Sequence, residues 1–254
     1  VEHASGRIGQ DTSFNAVSVR GDSSRWNVGG MIGVGHGPHS VSNSLTVAEG
    51  AVVENTWLWV GGYAPYQDGG GLWNSLVVTN GGKLYTGGDD GFGRGSCIGV
   101  SGTVGGRVDH NTAMVSGRGS LWDLQGRDLR IGSVTVGGAF GAFNSVRVEQ
   151  GGVLTNGHLV YIGEALGGGT SSSNELAIVS GGTLDAEGIR VGSESSFDNA
   201  LCVKGGTVSA GAMTVYARNE LVFEIGADAP APVKISGAAK FEKGSRIKPV
   251  VTTN

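Results

Sequence analysis

The chain has 254 residues, of which 49 are glycine, only 5 are proline and 16% carry a charged side chain. Glycine is far more frequent than its usual share of about 7%, without the proline of collagen or of a proline-rich linker, which is typical of many short strands joined by tight turns. The formal net charge of −4, with no basic stripe set among aromatic residues, argues against nucleic-acid binding.

The first 42 residues are the least regular part of the chain. Asn15 opens an alternating strand, but residues 21–26 break the pattern that later segments share. We expect residues 1–42 to form an N-terminal cap and the first irregular rungs. The chain starts with Val1 and not with Met, so we expect either a fragment or a processed product, and removal of a signal peptide would fit.

An asparagine followed by an alternating apolar strand recurs eight times, at spacings of 20 to 37 residues. The eight asparagines are Asn15, Asn43, Asn74, Asn111, Asn144, Asn174, Asn199 and Asn219. Successive side chains of a strand point to opposite faces, so residues such as Leu176 are predicted to point inward and Ala177 outward. We expect the asparagines to stack at one corner as a structural ladder of side-chain amides, since Asn also tolerates the left-handed backbone of turns.

Two further elements complete most repeats. A glycine-containing turn leads to an inward aliphatic residue, as in Gly82 and Leu84, and more loosely in Gly119 and Leu121. An aliphatic–x–aliphatic strand ending in glycine then follows. Three such strands bury their apolar faces only when the repeats stack. The sequence therefore predicts an all-β fold, a single right-handed parallel β-solenoid (β-helix) of about eight three-strand rungs with glycine-rich corner loops.

The repeat array is predicted to span residues 43–218, and residues 219–254 a C-terminal rung and cap. Most insertions that lengthen the repeats fall between the third strand and the next asparagine, for example residues 132–143. Insertions confined to one corner form a ridge along the rod. Repeat proteins often bind partners on such a ridge.

The cycle Asn-x-Leu-x-Val, Gly-Gly-x-Leu and Leu-x-Val-Gly, from about Asn43 to Val215, resembles the β-strand repeats of bacterial autotransporter passenger domains and related surface proteins. The tail from Leu221 onward is similar to the segment that ends such arrays. The resemblance implies export to the cell surface or the medium. It implies less about activity, because such solenoids include adhesins, proteases, lyases and inert stalks.

Residues that could hold a cofactor or a metal are sparse. Cys97 and Cys202 belong to no CxxC motif, and we expect no disulfide between them because they fall four rungs apart. Asp89 and Asp90 are adjacent on a glycine-rich loop, a weak candidate for a cation site without the spacing of a calcium loop. We therefore expect no cofactor and no metal. No apolar run approaches the roughly 20 residues of a membrane helix, so membrane insertion is not expected.

Outward aromatic residues are the candidate binding residues for a glycan or a partner. The candidates are Trp57, Trp59, Tyr63, Tyr66, Trp73, Tyr85 and Trp122. Tyr85 and Trp122 are predicted to pair on neighbouring rungs. Arg130, Tyr161 and Arg190 are predicted to form a cation–π stack. Exposed rings suit stacking against sugars, but aligned rings also stabilise neighbouring strands, so both interpretations stay open.

These features favour a non-catalytic extracellular structural or adhesive β-solenoid. We expect it to bind a cell-surface glycan or protein, or to associate with copies of itself, head to tail or laterally, into fibres. The alternative is a polysaccharide-degrading β-helix enzyme, a lyase or a tailspike-like hydrolase. Such an enzyme needs carboxylates that converge in one groove, whereas the acidic residues of this sequence are scattered, and we assign no catalytic residue. An extracellular or cell-surface location follows from the same interpretation.

Overall fold

A computed structural model describes residues 2–62, 70–87, 95–225 and 232–251. Within these ranges the protein is all-β, and its parallel strands stack as a β-solenoid of about eight turns, as predicted. Each turn is called a rung below and is numbered by its asparagine, from Asn15 in rung one to Asn219 in rung eight. The described part of the chain holds no helix long and apolar enough to cross a membrane.

The strands are, in chain order, β1 (Glu2–His3), β2 (Gly6–Ile8), β3 (Ala16–Arg20), β4 (Arg25–Val34), β5 (Ser40–Val41), β6 (Ser44–Ala48), β7 (Val52–Val60), β8 (Gly71–Leu72), β9 (Ser75–Thr79), β10 (Lys83–Thr86), β11 (Ser96–Ser101), β12 (Arg107–Asp109), β13 (Thr112–Ser116), β14 (Leu121–Val134), β15 (Phe140–Ala142), β16 (Ser145–Glu149), β17 (Val153–Ile162), β18 (Thr170–Ser172), β19 (Glu175–Val179), β20 (Thr183–Val191), β21 (Ser196–Phe197), β22 (Ala200–Lys204), β23 (Thr207–Val215), β24 (Glu220–Ile225), β25 (Val233–Ile235), β26 (Ala239–Phe241) and β27 (Arg246–Val251).

The strands of successive rungs pair in parallel and form long sheets. A nine-stranded sheet holds the eight strands that follow the asparagines and, at its end, β27, in the order β3-β6-β9-β13-β16-β19-β22-β24-β27. A twelve-stranded sheet holds the second and third strands, along the path β1-β4-β7-β10-β14-β17-β20-β23-β25. Short strands just before the asparagines form a two-stranded sheet, β5-β8, and a four-stranded sheet, β12-β15-β18-β21.

The predicted second and third strands are one bent strand in most rungs. In β14 the pairing with β17 shifts register between Asp123 and Arg127. Gln125 and Gly126 have φ angles of 49° and 79° there, so the chain turns the corner as a bulge without leaving the sheet. The short strands before the asparagines were not predicted, because two or three residues carry too little of an alternating pattern.

The predicted inward positions of the first strands form one continuous core. The strand register aligns them from rung to rung, and the first inward residue of each strand from rung two to rung eight is at most 4% exposed. This column contains Leu45, Leu76, Ala113, Val146, Leu176, Leu201 and Leu221. A period of two therefore places an aliphatic side chain over the same interior point in every rung.

The prediction for the second strand of rung four is wrong, and with it the prediction for Trp122. The register pairs Leu84 with Trp122, so Trp122 points into the core, where it is fully buried, while Leu121 lies outside. The turn before β14 is one residue longer than the turn before β10, and a shift of one residue exchanges the two faces of a strand. Tyr85 lies beside Asp123, and the predicted Tyr85–Trp122 pair does not form.

A buried ladder of asparagine side chains runs along one corner. From rung one to rung eight, each Nδ2 donates to the Oδ1 of the asparagine in the next rung, over 2.9–3.1 Å. The main-chain N–H of Asn144 donates to the same acceptor on Asn174, and its second amide hydrogen goes to the carbonyl of Val108 at 2.9 Å. The ladder thus satisfies side-chain amides that water does not reach.

Glycines at the end of the third strands make room for this ladder. Gly35, for example, has φ of 71°, and a Cβ there would overlap the side chain of Asn74. The same overlap recurs at Gly9, Gly61, Gly99, Gly132, Gly163 and Gly192, each against a ladder asparagine. The glycine after the third strand is therefore required by space as well as by backbone conformation.

The two cysteines form no disulfide and are buried in different sheets. Cys97 belongs to β11 and Cys202 to β22, in agreement with the rung assignment made from the sequence. Burial raises the pKa of the Cys202 thiol. A buried thiol with a raised pKa reacts slowly, because the thiolate is the nucleophile.

The edge strands of the nine-stranded sheet are β3 and β27. At the first end, β1 and β2 pair with β4, and no strand of the described ranges pairs with the outer side of β3. At the other end, β27 pairs with β24 and carries Arg246, Lys248 and Pro249. Charged residues and proline on an edge disfavour the addition of a further strand.

We predict that Leu176→Asp prevents folding, whereas Thr112→Asp changes the melting temperature little. Leu176 is fully buried in the core, and an unpaired carboxylate there costs several kcal/mol, whereas Thr112 is exposed on its strand. Ala177 points outward as predicted, but it is only 4% exposed and packs against Val179 and Cys202. A carboxylate at Ala177 would therefore also be costly, and Thr112 is the better control. Thermal melting followed by circular dichroism is the measurement, and equal stability of the two variants would contradict the core assignment.

Removing one rung of the asparagine ladder is predicted to destabilise the protein strongly. Asn144→Ala deletes both donors of the Asn144 amide and the Oδ1 that accepts from Asn111, at roughly 1–3 kcal/mol for each buried group left unpaired. Asn15→Ala, at the exposed end of the ladder, is the matched control, and we expect it to cost less. Urea denaturation of both variants tests this, and equal midpoints would show that the ladder contributes nothing specific.

Candidate functional site

The residue directly before each ladder asparagine forms a column on the outside of the same corner, here called the corner column. Its members are Phe14, Ser42, Trp73, His110, Phe143, Ser173, Asp198 and Arg218, with φ between 54° and 62°. The main-chain N–H of Trp73 donates to the carbonyl of Asp109 in the next rung at 3.2 Å, and His110 and Phe143 repeat this bond. Left-handed backbone is uncommon for bulky residues, and such conformations cluster at ligand sites.

Three consecutive rungs place aromatic rings in the corner column. The rings of Trp73 and His110 stack with centroids 4.0 Å apart and planes 18° apart, and those of His110 and Phe143 with centroids 5.0 Å apart and planes 22° apart. The rung spacing of about 4.8 Å lies near the stacking distance of aromatic rings, so one ring per rung suffices to build the stack. Trp73 is 57% exposed and Phe143 52% exposed, and this ring stack is not part of the core.

A cleft of about 360 Å³ lies beside the first ring of the stack. It is lined by Pro38, Leu72, Val104 and Arg107 together with three glycines. Leu72 directly precedes Trp73 in the chain, although Trp73 itself does not line the cleft. Its wall combines apolar side chains with one guanidinium group and with the main chain of three glycines, as in sites that bind small polar molecules.

The other predicted aromatic residues do not form an exposed face. Trp59 is only 4% exposed and packs with Met31 and Cys97, and Trp57 is half-buried against the same cluster. Tyr85 is half-buried, and Trp122 lies in the core, where its Nε1 donates to Thr86 Oγ1 at 3.2 Å. Tyr63 and Tyr66 lie outside the described residues. Of the predicted residues that the structure describes, only Trp73 belongs to the ring stack.

The sequence interpretation missed His110 and Phe143. Both occupy the position before a ladder asparagine, as Trp73 does. That shared position was the available signal. It was overlooked because these residues fall within what looked like insertions of irregular structure.

A second feature, on the outer side of the third strands, is a polar cluster in rungs four to six. The predicted stack is present, with the guanidinium carbons of Arg130 and Arg190 lying 4.0 Å and 5.4 Å from the centroid of the Tyr161 ring. Arg130 also donates to Asp128 at 3.1 Å and to Glu164. Burial opposes its charge, but attraction and hydrogen bonding from Glu164 raise the pKa of Arg130 above its ordinary value. Arg130 is thus held as a cation by two carboxylates.

His158 is the half-exposed member of this cluster. Its Nδ1 lies 2.9 Å from Oδ1 of Asp128, which also accepts from the main-chain N–H of Leu159 at 3.2 Å. Its Nε2 lies 3.8 Å from Oε2 of the exposed Glu187. A half-exposed imidazole between two carboxylates is able to transfer protons. The sequence interpretation missed this convergence, because the residues come from different rungs.

Metal-binding chemistry finds little support in the described ranges. No group of three or more His, Cys, Asp or Glu residues is arranged there to hold a metal ion. Asp89 and Asp90, the weak candidates from the sequence, lie outside these ranges. The acidic residue Asp123 accepts from the N–H of Gln125 at 2.9 Å and from Asn156 at 3.0 Å, and so caps a turn.

Comparison with known proteins gives no relative for this chain: no protein-family model matches it, and no curated protein or solved structure is significantly similar to it. The functional argument therefore depends on the ring stack, the cleft and the polar cluster themselves.

Proposed function

We propose that the protein is a non-catalytic, extracellular structural or adhesive module that binds a surface glycan at the ring stack. The observation that carries this proposal is the exposed stack of Trp73, His110 and Phe143 on a rigid corner of the solenoid. Stacked rings stabilise neighbouring rungs by roughly 0.5–1.5 kcal/mol per pair, but the exposed parts of Trp73 and Phe143 remain available to a ligand. Their use in binding explains why bulky residues occupy a left-handed position there.

The chemistry of the surface favours a sugar ligand. Sugars present apolar C–H faces that stack on aromatic rings and hydroxyl groups that pair with polar side chains. The stack supplies the rings, and the adjacent cleft supplies Arg107 and open main-chain groups. The ladder holds the backbone directly behind each ring, so binding orders few additional groups. Export to the cell surface, as the resemblance to autotransporter passenger repeats implies, completes the proposal.

We predict that the protein is retained on at least one immobilised polysaccharide from a panel of cellulose, chitin, xylan, mannan and alginate. Retention should fall about tenfold in the double variant Trp73→Ala/Phe143→Ala, because the ring faces available for stacking are removed. Affinity electrophoresis against the same polysaccharides in solution gives the dissociation constants.

The matched control is Phe241→Ala, which removes an exposed ring of the last rung, far from the stack. We expect it to bind as the parent does, and melting curves should show that all variants are folded. Unchanged retention of the double variant would contradict the proposal. So would the absence of retention together with polymers that grow with concentration, since self-association would then be the better account.

A polysaccharide-degrading enzyme is the second candidate, and the polar cluster is the observation that favours it. His158 lies between Asp128 and Glu187, beside Arg130 and Tyr161, on one face of the rod. Acid–base cleavage of a glycan requires such a converging set. These residues differ from a preformed catalytic site, because the carboxylates of Asp128 and Glu164 are already paired with Arg130.

We predict that the parent protein releases neither reducing ends nor unsaturated ends from the same polysaccharides. A colorimetric assay for reducing ends and the ultraviolet absorbance of unsaturated ends are the measurements. Glu187→Gln is the informative variant, because Glu187 is exposed and its substitution leaves the Arg130 pairs intact. Release by the parent that disappears in Glu187→Gln would replace the adhesive proposal with the enzymatic one.

A further inference from the structure

The corner column contains a gap of one ring beside the stack. In rung two the column holds Ser42, with Phe14 on one side in rung one and Trp73 on the other side in rung three. Phe14 is 80% exposed, and Trp73 is 57% exposed with His110 covering only one of its faces. All three residues have the same left-handed backbone, with φ of 57° to 62°. A small residue therefore separates two rings that belong to one column.

The neighbouring rungs show what such a gap accommodates. Two rungs further along, the column again has rings on both sides of a middle position, Trp73 and Phe143, and the middle position is occupied by His110. His110 stacks against both, at 4.0 Å and 5.0 Å between centroids. Two rungs span roughly 10 Å, which is the distance between the two outer rings when a third ring is stacked between them. Among the residues that the structure describes, no ring stacks on Trp73 from the side of Ser42.

The polar groups at the gap indicate the ligand. The Ser42 main-chain N–H donates to the carbonyl of Leu72 at 3.0 Å, and its hydroxyl makes no hydrogen bond with the described residues. The hydroxyl of Ser13, one rung below, accepts from Val41 N–H at 3.2 Å and donates to His39 O at 3.0 Å. A ligand ring in this gap would contact apolar faces on both sides and hydroxyl groups at its base. A pyranose ring has that distribution of groups, whereas a phenyl ring would leave the hydroxyl group unmatched.

We propose that the gap at Ser42 binds one pyranose ring of a glycan, held between Phe14 and Trp73 as His110 is held between Trp73 and Phe143. This inference rests on the proposed function, since it names the subsite within the same corner column. The sugars that follow in the glycan would then reach the cleft at Leu72 and Arg107.

The variant Ser42→His tests the subsite by filling it. Histidine adopts the required backbone at the equivalent position of the column, where His110 has φ of 58°, so Ser42→His should fold. Binding of cellohexaose, chitohexaose and mannohexaose is measured by isothermal titration calorimetry. We expect Ser42→His to weaken binding about tenfold, because two stacking contacts are lost. Phe14→Ala should weaken binding as well, since it opens one side of the gap.

The matched control is Ser173→His, at the other end of the stack, where the next residue of the column is Asp198 instead of a ring. We expect the affinity of Ser173→His for the oligosaccharides to stay within about twofold of the parent's. A twofold change corresponds to less free energy than one stacking contact contributes. If Trp73→Ala/Phe143→Ala loses affinity but Ser42→His and Phe14→Ala do not, the subsite is wrong and the proposed function stands. If the parent binds none of the oligosaccharides and no polysaccharide, both fail. If N-acetyltryptophanamide binds the parent but not Ser42→His, while both proteins bind the oligosaccharides equally, the gap accommodates an aromatic side chain and the proposal is overturned.

Discussion

The structure depends on how a buried primary amide is satisfied. Seven of the eight ladder asparagines are fully buried, and an unpaired buried polar group costs roughly 1–3 kcal/mol. The acceptor that each Nδ2 uses lies on the asparagine of the next rung. One asparagine per rung therefore favours another in the next rung at the same corner, whereas Asn219, the last of the ladder, donates to the carbonyl of Ala217 at 2.8 Å. This constraint keeps the corner constant while the spacing between asparagines varies from 20 to 37 residues.

A fixed corner has consequences for the outer surface. Side chains at equivalent positions of neighbouring rungs lie about 4.8 Å apart, so each outward position becomes a column of touching groups. One residue choice per rung then decides the property of the column. Rings before the asparagines give the ring stack, and arginine alternating with tyrosine on the third strands gives the cluster around Arg130.

More of the fold than of the candidate functional site could be predicted from the sequence. The alternating strands and the recurrent asparagine place Leu176 inside and align Arg130 with Tyr161, because both follow from counting residues within one rung. Trp122 was misplaced because one extra turn residue exchanges the faces of a strand without a visible change in the pattern. The ring stack was found only at Trp73, because contacts between rungs depend on which loop residue ends beside the ladder. Sequence periodicity does not report that when the loops differ in length.

The direction of the hydrogen bonds determines how the rod responds to force. The bonds between strands and the ladder bonds both run along the axis, and each rung contacts only its neighbours. Tension applied between the two ends therefore loads the bonds of one terminal rung at a time, and that rung detaches before the next is stressed. Each rung that detaches releases a segment of 20 to 37 residues, while the remaining rungs keep their register. Extension under load is thus stepwise, and the middle rungs keep their structure until the rungs on one side of them have opened.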